Sequence, residues 1–261
     1  MKRIALLLVF SFLVFSCKKS VAKKVAKKSK TTITTNSRVE VIPVSHATAI
    51  IKFGSEIIYL DPTGGKKAFE SHPVPTYVFI TDVHGDHMNI KTLNELDLQN
   101  TIIVAPKAVR ENLKAISAKE IVVINNGETK DMTSFSLEAI PMYNLRKEAL
   151  KFHQKGRGNG YVLTVDGERL YFSGDTEDIP EMRSLKNIDR AFVCMNLPYT
   201  MTVESAASAV LEFKPKQVYP YHYRGGGGFS DVTKFKSIVN HGDASIEVVQ
   251  LNWYPKKNKC Q

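Results

Sequence analysis

The chain predicts an α+β fold in which two β-sheets pack face to face with helices outside, starting near residue 39. Three observations predict it. Short apolar or alternating stretches bounded by turn residues recur from Ala47 to Leu251. Stretches with helical spacing follow several of them, and the same order of strands and then helices occurs once in each half. No Pro/Gly/Ser-rich linker or charge block divides residues 39–251, so they read as one domain.

Residues 47–53 and 56–60 form a hairpin around Gly54-Ser55, and Asp61-Pro62 makes the next turn. Residues 77–80 are a short apolar strand. Residues 88–98 place Ile90, Leu93 and Leu96 on one side of a helix. A strand at 101–105 and a short helix at 108–116 follow, then strands at 121–124, 134–139, 160–165 and 170–172. Asp166-Gly167 turns the last two into a hairpin. In the second half, residues 192–196 are apolar, and 203–213 form a helix with Ala206, Ala207, Val210 and Leu211 on one side. Residues 217–219 are a strand, 231–240 a last helix and 245–251 a last strand.

The first residues stand apart from this plan. Residues 1–16 open with Lys2 and Arg3, then run apolar from Ile4 to Phe15 with one break at Ser11. That is shorter than the roughly 20 residues a spanning helix needs, and it has the layout of an export signal. The stretch Val14-Phe15-Ser16-Cys17 resembles a bacterial lipobox, which implies cleavage before Cys17 and lipid on its thiol. An ordinary secretory signal or a single membrane anchor are the alternatives. Residues 17–38 then read as a lipid-anchored tether, because seven lysines, no acid and few large apolar groups cannot offset the entropy of ordering.

This tail changes the meaning of the charge. The chain has 36 Lys+Arg against 26 Asp+Glu, a net +10. Lys2, Arg3 and the seven tether lysines supply nine of those ten charges, so the rest is nearly neutral. The excess therefore argues against a nucleic-acid-binding face and for lysines lying on anionic lipid beside an anchor. Of three cysteines, Cys17 is the lipid site, Cys194 lies in an apolar run as a small core residue, and Cys260 is next to last. A disulfide framework is not expected.

Residues 81–87, TDVHGDH, place two histidines and two aspartates directly behind an apolar strand. Asp82, His84 and Asp86 alternate, Gly85 permits a tight turn, and His87 opens the next helix. Carboxylate oxygen and neutral imidazole nitrogen suit zinc, iron or manganese, and such a cluster is costly to bury without a cation. Gly174-Asp175 and then His222 arrive later, each at the end of a predicted strand.

These residues together resemble the metallo-beta-lactamase fold superfamily of metal-dependent hydrolases. His153, residues 156–162, 171–178, Pro180-Glu181-Met182 and 215–222 resemble its UlaG-like branch of zinc-dependent hydrolases. The resemblance covers about residues 39–251. It implies a four-layer αββα sandwich with its metals at one edge, and residues 39–261 as the hydrolase domain. It also implies that Asp82 and His84 belong to a first metal site, that Asp86, His87 and His222 belong to a second, and that Asp175 bridges both. Two departures are visible. The family's first histidine is Asp82 here, and the histidine expected between TDVHGDH and Gly174-Asp175 is missing from its strand end, Pro141-Met142-Tyr143-Asn144. His153 is the candidate replacement or a substrate-orienting group, which leaves one or two ions open. His46 resembles a histidine near the family's active edge.

The expected chemistry is hydrolysis by metal-activated water, positioned by Asp86, with His153 as a second catalytic candidate and Tyr143, Asn144 and Tyr199 as substrate contacts. Zinc leads as cofactor, with manganese or iron possible. An ester, lactone or phosphodiester is the expected substrate, small or lipid-derived, because UlaG-like relatives include a lactonase and a phospholipid-cleaving enzyme. The competing expectation is a non-catalytic surface lipoprotein stabilised by metal. His72 and His241 are expected to be ordinary exposed histidines, and Tyr219, Tyr221 and Tyr223 one face of a half-exposed strand.

Overall fold

The computed structural model describes residues 38–255; the expected signal, Cys17, all of the tether except Arg38, and Cys260 lie outside the described residues. β1 (Glu40–Ser45), β2 (Thr48–Phe53) and β3 (Glu56–Leu60) form an antiparallel meander. β4 (Tyr77–Phe79), β5 (Ile102–Ala105) and β6 (Glu120–Val123) then add in parallel, completing a six-stranded sheet. Helices α1 (Ile90–Glu95) and α2 (Lys107–Asn112) make the crossovers.

The second sheet repeats the scheme. β7 (Thr129–Asp131), β8 (Ser136–Met142), β9 (Gly158–Val165) and β10 (Glu168–Phe172) are antiparallel. α3 (Pro180–Arg183) leads to β11 (Arg190–Val193), and α4 (Val203–Phe213) to β12 (Gln217–Pro220). A small separate hairpin of β13 (Arg224–Gly225) and β14 (Gly228–Phe229) precedes α5 (Val232–Gly242) and β15 (Glu247–Val248). β11, β12 and β15 run parallel to β10, giving seven strands in the order β15-β12-β11-β10-β9-β8-β7.

Strand alternation sorts the side chains into layers. Ala49, Ile51, Ile58, Leu60 and Phe79 enter the core shared with Leu137, Ala139, Tyr161 and Leu163 of the other sheet. Phe79 and Tyr161 meet across it at 5.6 Å between ring centroids. Their neighbours Ile50, Tyr59, Val78 and Ile103 face away, toward Leu93 of α1 and Val109 of α2. On the far side Ala206, Ala207, Val210 and Phe213 pack α4 against the second sheet. This is the four-layer αββα sandwich expected.

Several expectations need correction: the helix expected at 108–116 ends at Asn112, and the last strand expected at 245–251 pairs only over Glu247–Val248. α1 is six residues long: Asn89 caps it by accepting from Thr92 N, and Leu96 is already extended. The tyrosine triple is no half-exposed face, since Tyr219 and Tyr221 are buried between layers and only Tyr223 is partly open. Among the described residues no helix is long and apolar enough to cross a membrane.

Candidate metal centre

The carboxyl ends of β3, β4, β10 and β12 meet at one edge of the sandwich, where loops rather than ladders determine the direction of side chains. β3 is followed by Asp61, β4 runs into TDVHGDH, β10 is followed by Gly174-Asp175, and β12 by His222. His46, in the turn between β1 and β2, joins them. Three of these residues, His46 (φ 57°), Asp61 (φ 45°) and His222 (φ 45°), hold left-handed backbone that side chains other than glycine rarely adopt. Such conformations persist where surrounding contacts over-determine them, and they concentrate at functional sites.

Asp61 fixes His87. Its carboxylate accepts from Thr81 N at 2.8 Å, from Thr81 Oγ1 at 2.6 Å and from His87 Nδ1 at 2.8 Å, all buried. With Nδ1 committed, the other ring nitrogen is aimed into the cluster. His87 Nε2 lies 3.5 Å from Asp175 Oδ2 and 4.0 Å from Asp86 Oδ1. His222 Nε2 lies 3.4 Å from Asp175 Oδ1 and 3.4 Å from Asp86 Oδ2. His46 Nε2 is also 3.4 Å from Asp86 Oδ2, and its ring lies 3.7 Å from that of His222. His46 Nδ1 meets the Tyr254 hydroxyl at 2.7 Å.

The other end holds Asp82, His84 and His153. His84 Nδ1 is 2.7 Å from Asp82 Oδ2, and His153 Nε2 is 3.9 Å from the same oxygen and 3.3 Å from Asp175 Oδ2. Asp175 thus reaches both ends. Arg157 grips Asp82 with both arms, Nε to Oδ1 at 3.1 Å and Nη2 to Oδ2 at 3.0 Å.

Each sequence-predicted ligand is therefore at this edge, and His153 joins Asp82 and His84. Tyr199 lines the cleft with Phe152 and Asn196, above a cavity of about 320 Å³ that also touches His84, Asp86, His153 and Asp175. Tyr143 and Asn144 do not line it. The Tyr143 hydroxyl donates to Glu181, and Asn144 donates to the carbonyls of Ala149 and Tyr199, bracing two loops. Tyr221 accepts from Gly174 N at 2.8 Å and so shapes the turn that presents Asp175. Cys194 is buried core, as expected; His241 is exposed at the end of α5, and His72 is half-buried. Sequence reasoning missed Asp61, Arg157 and Tyr254. Only Asp61 left a signal, as an acid directly behind an apolar strand.

Burial disfavours charge throughout this cluster, and neighbours outweigh it. Asp82 is held at about 2 by His84, His87 and Arg157 despite desolvation. Asp86 and Asp175 are likewise lowered: hydrogen bonds from His222 and His46 act on Asp86, and the charges of His222 and His87 act on Asp175. His46 is lowered, chiefly by burial.

Whether these groups suit a cation is tested by their own hydrogen bonding. His87 Nε2, His153 Nε2, His222 Nε2 and Asp175 Oδ1 are buried without a hydrogen-bond partner, although they crowd within 3.3–3.5 Å of one another's donors and acceptors. Orphaned buried polar atoms are rare and costly. Three sets of three residues, His87/Asp175/His222, His46/Asp86/His222 and Asp82/His84/His153, each offer one ligand atom per residue, and within each set those atoms lie within 4.8 Å of one another. The set fits a borderline divalent metal.

Comparison with known proteins agrees. The Beta-lactamase superfamily domain matches residues 58–223. A UPF0173 metal-dependent hydrolase from Pyrococcus abyssi is 30% identical over 221 residues, covering 79% of this chain and 93% of its own. A candidate metal-dependent hydrolase from Parabacteroides distasonis has a crystal structure that superposes with a TM-score of 0.74 at 34% identity, covering 83% of this chain and 94% of its own. Igni18, a metallo hydrolase from Ignicoccus hospitalis, shares the fold at 19% identity, with a TM-score of 0.68 and coverage of 82% and 94%. With this fold, this clustering of donors and these relatives, the chain belongs to the beta-lactamase superfamily and is one of its metal-dependent hydrolases.

Proposed function

We propose that the chain hydrolyses an ester, lactone or phosphodiester with zinc as its preferred ion, as a member of the UlaG-like branch. The observation that carries this reading is the convergence of unpartnered buried imidazole and carboxylate atoms on one open cleft. His87, Asp175 and His222, with Asp86, would hold the ion; His84 and His153 with Asp82 form the facing group. A bound cation there supplies Lewis acidity, which makes water a stronger acid and polarises a substrate oxygen. Asp86 is half-exposed in the cleft and ionised, so it accepts a hydrogen bond from the attacking water and aligns it. His153, buried between Asp175 and the cleft, faces the substrate side. Phe152 and Tyr199, 5.1 Å apart edge to face, form an apolar wall suited to the non-reacting part of the substrate.

Protein reconstituted with zinc and offered an aryl ester, a medium-chain lactone and an aryl phosphodiester is expected to turn over at least one of them. Turnover should vanish with chelator, return with zinc, and fall at least about a hundredfold in Asp86→Ala. A zinc-replete protein inert toward all three classes overturns the reading. The Val14–Cys17 stretch supports a further element, anchoring to the bacterial cell envelope through lipid on Cys17. Labelled palmitate entering the wild-type chain but not Cys17→Ser is the expected result; equal labelling refutes the anchor.

A further inference from the structure

The two ends of the cluster differ in charge. Around His87 and His222 stand Asp86 and Asp175, with Asp61 behind His87, and among the described residues no lysine or arginine pairs with any of them. Around His84 and His153, where the shared Asp175 also reaches His153 Nε2 at 3.3 Å, the one carboxylate that this end has to itself is Asp82, fully buried and held by both arms of Arg157. A two-point guanidinium fork on a carboxylate is a strong, charge-assisted pairing with fixed geometry. Asp82 Oδ2 also faces His84 Nδ1 at 2.7 Å, so that oxygen already has two partners. Arg157 is itself fastened, with Nη2 donating to the Phe152 carbonyl. It cannot swing away without abandoning both.

We infer that Arg157 takes the electrostatic place of a second cation, so that the chain keeps one tightly held metal ion at the His87–Asp175–His222 end and not two. A dication at the Asp82 end would gain no net negative charge from the Asp82–Arg157 pair. It would also have to compete with a covalently tethered cation for the same carboxylate. The ion at the other end meets Asp86 and Asp175 with no such rival. Asp82 and Arg157 are thus one device: aspartate provides the flat two-oxygen partner that an arginine fork requires and an imidazole cannot provide. This rests on the proposed metal-binding role of the site, and the test separates the two.

The full chain is loaded with excess zinc, passed through a desalting column with a weak chelator, and its zinc measured by mass spectrometry; a cobalt(II) titration followed by visible absorption gives the endpoint independently. One equivalent is expected in wild type, and close to two in Arg157→Met. Arg157→Lys, which keeps the charge, should stay at one. Asp82→Asn, read in parallel in case Arg157→Met does not fold, should keep its one equivalent within about threefold of wild-type affinity. Two tight equivalents in wild type, one in a folded Arg157→Met, or a hundredfold loss of affinity in Asp82→Asn each overturn the inference while leaving a metal site intact. No retained zinc in wild type overturns the proposed function itself.

Discussion

At the residue scale the centre depends on side chains that never touch the cleft. Asp61 accepts three hydrogen bonds from a left-handed backbone position, and one of them sets the tautomer and tilt of His87. Partners of this kind typically alter metal affinity about 10- to 100-fold when changed. Asp61→Asn is isosteric but offers an NH₂ group where an acceptor is needed, so His87 Nδ1 must lose its acceptor or change tautomer. Zinc affinity, measured by competition with a chromophoric chelator, should fall by about that factor with the far-UV circular dichroism unchanged. Affinity within twofold of wild type would show that His87 is oriented by packing alone. The ligand types were legible at this scale and their supports were not. TDVHGDH, Gly174-Asp175 and His222 announce themselves because acids and imidazoles sit behind apolar runs. Arg157 and Asp82 meet across 75 positions, and His46 and Tyr254 across 208, which no local pattern encodes.

At the element scale, local signals were good where burial follows a period. The β2–β3 hairpin and α4 lie where alternation and helical spacing put them, and α4 is closed by a Thr202 cap accepting from Ser205 N and by left-handed Lys214. β7 was illegible because Thr-Lys-Asp is exposed throughout and pairs only through backbone. α1 was read too long because Ile90 and Leu96 keep helical spacing while only Thr92 and Leu93 of the helix are buried. Glycine at 160 has a reason found only in three dimensions. A Cβ there would stand 2.8 Å from Ser173 O and 2.9 Å from Phe172 O, the carbonyls that lead into Gly174-Asp175. Backbone on both sides leaves no soft side chain to yield. Gly160→Ala should therefore cost about 1–3 kcal/mol in urea unfolding, and the displaced turn should also loosen zinc. A stability change under about 0.5 kcal/mol, the usual range for an inert surface substitution, would mean the two strands separate freely.

At the scale of the whole molecule, two sheets bring their strand ends to a common edge, so a cation bound there would join residues from both halves and stabilise the sandwich as a unit. Binding to the folded state alone contributes about 2.7 kcal/mol at a hundred times Kd, or roughly 5–10 °C in Tm for a domain of this size. The pH dependence follows from His87. Burial opposes its charge, but Asp61 and Asp175 outweigh burial and raise it well above the ordinary imidazole value in the cation-free chain. A raised folded-state value contributes stability that is complete below about pH 6.5, the unfolded value, and is lost as pH climbs through the raised one. Metal uptake has the opposite sign, because the ion binds neutral imidazole and must expel that proton. Lower pH thus supports the cation-free protein and weakens the loaded one. Scanning calorimetry of zinc-loaded and chelator-treated protein between pH 6 and 8.5 should show a Tm difference that widens as pH rises. A gap that narrows with rising pH would mean that no proton is displaced from His87 and that the ion is held elsewhere along this edge.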